Sequence, residues 1–574
     1  MAETGLSRGL TNYGDRAFSL YLRRAFAKSM GFSDAMLERP IVGIATAGGG
    51  FNNCHRTTPE LVTAVSRGVL AAGGLPLEFP TISLGEPFLT PTSLVFRNLM
   101  AMDVEEMIRA QPMDAVVLIG GCDKTLPAQL MGALSAGKPA ISLVVGPMMT
   151  GSFEGERLGA CTDCRAWWAR YRAGELSDER IRALESNLAT TAGTCAVMGT
   201  ASTMACVTEA LGMSLPGAAT PPAVHAERLR IAEATGARAV ALAHDGLTPD
   251  RIVTRESVEN ALRVLFAIGG STNGVIHLTA IAGRLGIPLT LEYFNAISAT
   301  TPVLVNLKPV GSAYMEHFHA AGGVGALLRE LAPLLHRDTV SVAGETLGER
   351  LERVPAYVGR DVIRSATEPL VERDALVALF GNLAPNGAIL KAAAADERLM
   401  EHEGRAVVFA DLADLAARID DPGLDVEPDD VLVLQNAGPI GAGMPEAGYL
   451  PIPKKLLARG VRDMLRISDA RMSGTAYGAV VLHISPEAAI GGPLAAVRSG
   501  DRIRLSLREK RLDVVLTGAE IAERLRGFAQ PPVPSRGYAK LYAEHILGAE
   551  SGCDFDFLTR DPGRRTLGTG RAWP

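Results

Sequence analysis

Residues 114–125 read Asp-Ala-Val-Val-Leu-Ile-Gly-Gly-Cys-Asp-Lys-Thr, and no other stretch constrains the fold as much. The apolar residues Ala115 to Ile119 have the length and β-branched content of a buried parallel strand. Gly120 and Gly121 let the backbone turn sharply and leave space beside it. Cys122, Asp123 and Lys124 then fall between that strand and a helix over 126–136. In open α/β sheets this is where ligands bind. A thiol, a carboxylate and an amine at one strand tip suit a site with more than one metal. They also suit a tight strand-to-helix turn with a buried cysteine.

The arrangement recurs. Residues 41–45, Ile-Val-Gly-Ile-Ala, form a second buried strand that runs into a glycine-rich loop ending at Cys54. A third strand over about 77–84 ends at Gly85-Glu86, and a further one covers 140–145. Helices alternate with them: one from Thr58, with Thr58 as N-cap and Pro59 opening the helix, to Gly73-Gly74, and one over 92–109. Cys54, Glu86 and Cys122-Asp123-Lys124 therefore lie at three strand tips, which right-handed crossovers put on one edge of the sheet.

At 574 residues the chain is too long for one core. With 47% hydrophobic and 21% charged residues it is globular rather than disordered. A net charge of −6 gives no reason to expect nucleic acid or an anionic membrane as partner. The first residues lack the apolar core of a signal peptide. Seven cysteines in so long a chain argue for reduced, cytoplasmic thiols rather than a disulfide framework. Residues 1–38 read as helical and polar. Residues 190–207 carry no charge but are rich in small residues, which predicts a buried helix reaching about 211, not a membrane span. Cys195 would sit at that helix's N-terminus, where the dipole favours a thiolate, and Cys206 would be core. Cys161-x-x-Cys164 stands alone and reads as two ordinary thiols rather than a zinc or redox pair.

A domain boundary is expected near 370. Beyond it, short strands over 431–436, 503–507 and 512–516 predict a β-rich second domain, the last two joined as a hairpin at Arg508-Glu509-Lys510. Two loops there are chemically loaded: Gly438 to Glu446, and Asp469-Ala470-Arg471-Met472-Ser473-Gly474. Arg471 reads as a salt-bridge partner of Asp469. The prolines at 531, 532 and 534 mark a linker into a C-terminal tail.

Together these motifs resemble the iron–sulfur dehydratase family that includes dihydroxy-acid dehydratase, 6-phosphogluconate dehydratase and the sugar-acid dehydratases. The resemblance rests on Asn53-Cys54, Gly120 to Thr125, Gly193 to Thr203, Gly381-Asn382-Leu383-Ala384-Pro385, Gly443-Met444-Pro445-Glu446 and Asp469 to Gly474, six motifs in order over nearly the whole chain. Ser83-Leu84-Gly85-Glu86-Pro87 and the 97–103 segment look like the sugar-acid branch (arabinonate, xylonate), as does the Cys161-x-x-Cys164 segment, which is not a cluster ligand there. The resemblance implies an α/β N-terminal domain with a parallel sheet (1–370), and a C-terminal β-barrel-like domain with its tail (371–574) that supplies Glu446 and Ser473. It implies that Cys54, Cys122 and Cys195 hold a [2Fe-2S] or [4Fe-4S] cluster. Glu86, Asp123 and Glu446 would hold Mg2+, with Lys124 joining them as a carbamate, and Ser473 would be the base. Thr200 and Gly474 are candidate substrate contacts, and a homodimer or homotetramer is implied.

The family reaction turns a 2,3-dihydroxy acid into a 2-keto acid, so the residues must help a weakly acidic C2 proton and a poor C3 leaving group. Hard oxygen ligands suit Mg2+. Three thiols rather than four leave one iron open. His55 beside Cys54 is an alternative fourth ligand, which would close the site and favour an iron–sulfur electron-transfer or redox-sensing protein. Within the dehydratases the alternative is the branched-chain dihydroxy-acid enzyme.

Overall fold

The structure, a computed structural model, describes residues 4–10 and 12–560. Its first sheet is wholly parallel. β1 (Ile41–Thr46), β2 (Leu75–Pro80), β3 (Ala115–Gly120) and β4 (Ala140–Val144) lie in the order β2-β1-β3-β4. β1, β3 and β4 are buried along their whole length, as near-continuous apolar runs demand. Ile44 pairs with Glu78 on one side and Val117 on the other. The chain passes from β1 to β2 at one edge and then returns across β1 to β3. The crevice at that reversal, between the carboxyl ends of β1 and β3, is the ligand position of an open α/β sheet.

Helices Thr58–Ala71, Ser93–Ala110 and Thr125–Ala136 connect these strands. Helices Thr58–Ala71 and Ala226–Asp245 cross so closely that a Cβ on Gly68 would stand 1.9 Å from the Glu233 carbonyl oxygen. Glycine is required at that crossing. Local boundaries differ from expectation in two places. β2 starts two residues early and stops at Pro80, and the first connecting helix takes Thr57, not Thr58, at its N-cap position.

The small-residue helix spans Thr200–Ala210, so Cys195 precedes it by a full loop and does not sit on its N-terminus. The loop is stitched sideways instead. The Thr194 N–H donates to the Gly146 carbonyl at 3.0 Å, and the Met198 N–H to that of Lys308 at 2.9 Å. Residues that bond across to neighbouring segments cannot close helical turns.

The second sheet has eight strands: β5 (Val377–Leu379), β6 (Gly387–Leu390), β7 (Glu401–Phe409), β8 (Val431–Leu434), β9 (Arg466–Ser468), β10 (Val480–Ser485), β11 (Arg502–Ser506) and β12 (Arg511–Val514). Their order is β12-β11-β7-β8-β9-β10-β6-β5, with β7 to β10 parallel and the flanking pairs antiparallel. The ends nearly meet. Phe380, just past β5, donates to the Lys510 carbonyl at 2.9 Å and accepts from the Leu512 N–H at 2.8 Å. The result is a nearly closed, barrel-like sheet around an aliphatic core that includes Val377, Val433, Ile467, Val481 and Leu505.

After the proline-rich linker the chain does not stay with this barrel. Helix Gly537–His545 and the residues after it dock on the first half. The Tyr538 hydroxyl donates to the Val95 carbonyl, Arg97 donates to the carbonyls of Gly552 and Cys553 at 2.9 and 2.6 Å, and Arg284 pairs with Asp554 at 2.6 Å. Residues 561–574 lie outside the described residues. Among the described residues no helix is long and apolar enough to cross a membrane.

Candidate active site

Cys54 sits in a short 3-10 turn (Asn53–His55) after β1, Glu86 opens another (Glu86–Phe88) after β2, and Cys122 lies one residue beyond Gly121, which follows β3. The thiols of Cys54 and Cys122 are in hydrogen-bonding contact, and Cys195 feels the charge of both. For Cys54, the contact with Cys122 and burial push the thiol well up. For Cys195, the hydrogen bond from Cys161 pulls the thiol down, but burial and the nearby Cys54, Asp123 and Cys122 outweigh it and the net is upward. This reverses the thiolate expected from a helix dipole. The Cys54 and Cys195 thiols, each held up by its cysteine neighbours, form with the buried Cys122 a donor set that a cationic metal group would satisfy.

His55 is not among the donors. Its Nδ1 faces the Ala47 carbonyl at 2.8 Å and so carries the proton, while Nε2 accepts the Gly121 N–H at 2.9 Å. Both nitrogens are occupied, and the ring ties the Cys54 turn to the residue before Cys122. The fourth-ligand alternative has no free atom to use.

Cys161 stands closer to the three thiols than its sequence context suggests. Its Sγ lies 3.3 Å from Cys195 Sγ, on a residue held at φ +82°, and Cys164 donates to the Cys161 carbonyl at 3.0 Å. All seven cysteines are free.

Beside the thiols lie three carboxylates and a lysine. Lys124 is fully buried, with Nζ 3.2 Å from Asp123, 3.4 Å from Glu86 and 4.0 Å from Glu446. Arg471, also fully buried, spans the two halves of the chain. It donates to Glu86 at 2.7 Å, Glu446 at 2.6 Å, Thr92 Oγ1 at 2.7 Å and the Met444 carbonyl at 2.8 Å. The two oxygens of Asp469 instead accept the N–H groups of Ala437 and Ala488, at 3.0 and 2.9 Å. Asp469 is a loop brace, and the Asp469–Arg471 pairing read from the sequence is not formed.

Burial alone would raise the Glu86 carboxyl, but Arg471 and Lys124 outweigh it and bring it down to about 2. Burial raises Glu446; Arg471 opposes, while the Asp123 and Glu86 charges add to the rise. Three carboxylates against two cations leave a site short of positive charge, and its oxygen donors are those that suit Mg2+.

Ser473 enters from the loop after β9. Its Oγ lies 2.9 Å from Thr475 Oγ1 and accepts the Thr475 N–H at 3.5 Å. Gly474 and Thr200 meet behind it. A Cβ on Gly474 would stand 2.6 Å from Ser271 Cβ and 2.7 Å from the Thr200 nitrogen, so protein fills the space that the glycine leaves. The Thr200 hydroxyl is shared with Ser271 at 2.9 Å and Asn273 at 3.0 Å. The loop leading to Glu446 is pinned from below, where Glu487 accepts the N–H groups of Ile440 and Gly441 at 2.8 and 2.9 Å. One further residue escaped the sequence: Lys391, fully buried just past β6, whose Nζ makes a single 3.5 Å contact with the Gly474 carbonyl.

Residues 39–350 match the model of the dihydroxy-acid/6-phosphogluconate dehydratase N-terminal domain, and residues 361–553 that of the C-terminal domain. The chain belongs to this dehydratase family. Its relatives include a 6-deoxy-6-sulfo-D-gluconate dehydratase of Pseudomonas putida, 45% identical over 92% of this chain and 91% of that protein. An L-arabinonate dehydratase of Rhizobium leguminosarum bv. trifolii is 45% identical over 95% of each. A dihydroxy-acid dehydratase of Pyrococcus abyssi is 38% identical over 93% and 97%. Members of the family are hydro-lyases, and this chain is an enzyme of that class.

Proposed function

We propose that this dehydratase removes water from a sugar acid, a 2,3-dihydroxy carboxylic acid, to give the 2-keto-3-deoxy acid. One observation carries the reading: Glu86, Asp123, Glu446 and Lys124 converge beside three mutually close thiols at the sheet's reversal point. The sugar-acid branch is favoured over branched-chain dihydroxy acids by the closer relatives and by the Tyr449, Tyr477 and Arg165 side chains in the cavity at Glu446. An electron-transfer role has no use for the carboxylate cluster.

Cys54, Cys122 and Cys195 would hold an iron–sulfur cluster, [2Fe-2S] or [4Fe-4S]. Glu86, Asp123 and Glu446 would hold Mg2+, with Lys124 as a carbamate, because a free ammonium beside a divalent cation is repelled and its carbamate adds an oxygen donor. When bound, these groups supply Lewis acidity at the C3 hydroxyl and at the carboxylate and 2-hydroxyl. Ser473 takes the C2 proton. A serine is too weak a base unaided, and the Thr475 N–H and hydroxyl, both facing Oγ, stabilise its alkoxide. Arg471 fixes Glu86 and Glu446 in one geometry across the two halves. Thr200 and Gly474 act through the position of the Ser473 loop.

The protein is inferred to work in the cytoplasm, its thiols reduced, as a homodimer or homotetramer. Phe51 and Phe88, 78% and 61% exposed beside Cys54 and Glu86, and Tyr13, Tyr21 and Phe26 near the N-terminus are apolar surface for such an assembly. The test is anaerobic purification followed by iron, acid-labile sulfide and 2-keto-acid assays on a panel of aldonates and dihydroxyisovalerate. Cys122→Ser should lose colour and turnover together. A colourless wild type, or a coloured and fully active variant, sinks the reading.

A further inference from the structure

Away from the dehydratase centre, His225, Glu227 and His319 each bring one ligand atom to within 4.8 Å of the others. Glu227 Oε2 lies 3.4 Å from His319 Nε2 and 3.9 Å from His225 Nδ1. The two imidazoles meet edge to face, with ring centroids 5.6 Å apart. Ligands held at about 2.0–2.2 Å by a tetrahedral Zn2+ stand about 3.4 Å from one another. The Glu227–His319 edge already has that length. The other two edges must shorten, and rotation of the His225 ring, which is 50% exposed, is free to do it.

The surroundings suit a cation. Among the described residues Glu227 forms ion pairs with these two histidines and with no lysine or arginine. Arg228, next in the chain, faces inward and donates to the carbonyls of Val144, Ala218 and Pro221. The Thr220 hydroxyl stands 3.3 Å from His319 Nδ1, so a bond there leaves Nε2 as the ligand atom facing Glu227. His225 Nδ1 receives only a long 3.3 Å bond from the Glu227 N–H, a contact weak enough for a metal to replace. The two sides of the cluster also share a task. His225 caps helix Ala226–Asp245, Glu227 lies in its first turn, and His319 is on helix Met315–Ala320. Both segments brace the Cys195 loop. The Ala223 N–H donates to the Pro147 carbonyl at 2.8 Å, between the residues Gly146 and Met148 that bond Thr194, and the Met315 N–H donates to the Ala196 carbonyl at 2.8 Å.

We propose that His225, Glu227 and His319 bind a Zn2+-type divalent cation, with water in the fourth position, which fastens the two braces of the Cys195 loop to each other. Two imidazoles and one carboxylate select such a cation over Mg2+, which takes oxygen donors. The site is separate from the dehydratase centre and stands whatever substrate that centre takes.

The experiment titrates the cluster-loaded enzyme with zinc chloride alone, in excess Mg2+ so that the carboxylates at Lys124 are contested. The wild type should hold one more zinc per chain than His319→Gln. X-ray absorption at the zinc edge should show that extra ion with imidazole and oxygen neighbours and no sulfur. His225→Gln, Glu227→Gln and His319→Gln should each bind it at least about 10-fold more weakly. Thr220→Val, which removes the hydroxyl that orients His319, should weaken it by about 10-fold. Zinc at 100 times its wild-type dissociation constant should raise the wild-type melting temperature by about 5 °C, and that of each ligand variant by at most about half as much. The three ligand variants alter different, partly exposed side chains, so one that folds poorly leaves two to decide. Equal zinc binding by the wild type and the folded ligand variants, or a zinc spectrum made of sulfur neighbours, overturns the proposal.

Discussion

Replacing Lys391 by methionine should make the protein more stable and the enzyme slower. Lys391 is 1% exposed, has no acidic partner among the described residues, and is held only by the 3.5 Å contact with the Gly474 carbonyl. Burial brings its amine from 10.5 down to about 7. At 1.36 kcal/mol per unit this is a cost of about 5 kcal/mol to the folded state. The sign follows from proton binding. Between pH 7 and 10.5 the unfolded chain holds a proton that the folded one lacks, so wild-type stability rises with pH across that window. Below pH 7 the cost is present in full; above 10.5 it vanishes. Methionine removes both the cost and the slope. With relaxation the realised gain is about 1–4 kcal/mol, or about 2–4 °C of melting temperature per kcal/mol for a unit of 150–250 residues. Calorimetry at pH 6, 8 and 9.5 should show the variant ahead of wild type by a margin that narrows as pH rises. Turnover should fall about 10-fold with KM held, because the Gly474 carbonyl that Lys391 polarises shares its peptide with the Thr475 N–H facing Ser473 Oγ. A variant destabilised at every pH, or one whose margin does not change with pH, refutes the reasoning.

Three further changes probe the same region. Arg471→Met leaves Glu86 and Glu446 with Lys124 as their one shared cation among the described residues and should cost about 3–5 kcal/mol in denaturant unfolding. His55→Ala cuts the tie between the Cys54 turn and Gly121, so iron per protein should drop by more than half after identical reconstitution while the far-UV spectrum is unchanged. Gly474→Ala forces a methyl into Ser271 and the Thr200 nitrogen and should cost about 1–3 kcal/mol by denaturant unfolding and at least tenfold in kcat.

Most of the parallel sheet was legible because β1, β3 and β4 are buried along their whole length and spell nearly unbroken apolar runs, with ligand-type residues past the ends of β1 and β3. The barrel was largely illegible. β5 and β9 have three residues each, and β7 begins Glu-His-Glu, so periodicity has little to count there. Cys195 was misplaced because small, uncharged residues are compatible with a helix, while the carbonyls of Gly146 and Lys308 that hold its loop open come from distant segments. Arg471 was assigned to its sequence neighbour Asp469, a reasonable default for adjacent charges, although its partners include Glu86, 385 residues away.

The sequence by itself determined where the turns after β1 and β3 fall and which donor atoms follow the first three strands, because glycine turns and side-chain chemistry are local properties. Only the tertiary structure decided which cations face those donors, that Arg165 rests over the Tyr449 ring, and that residues 552–554 return to pack on Arg97 and Arg284. Those outcomes depend on which distant backbone and charged groups share one low-dielectric space, and that is settled only when the two halves of the chain pack together.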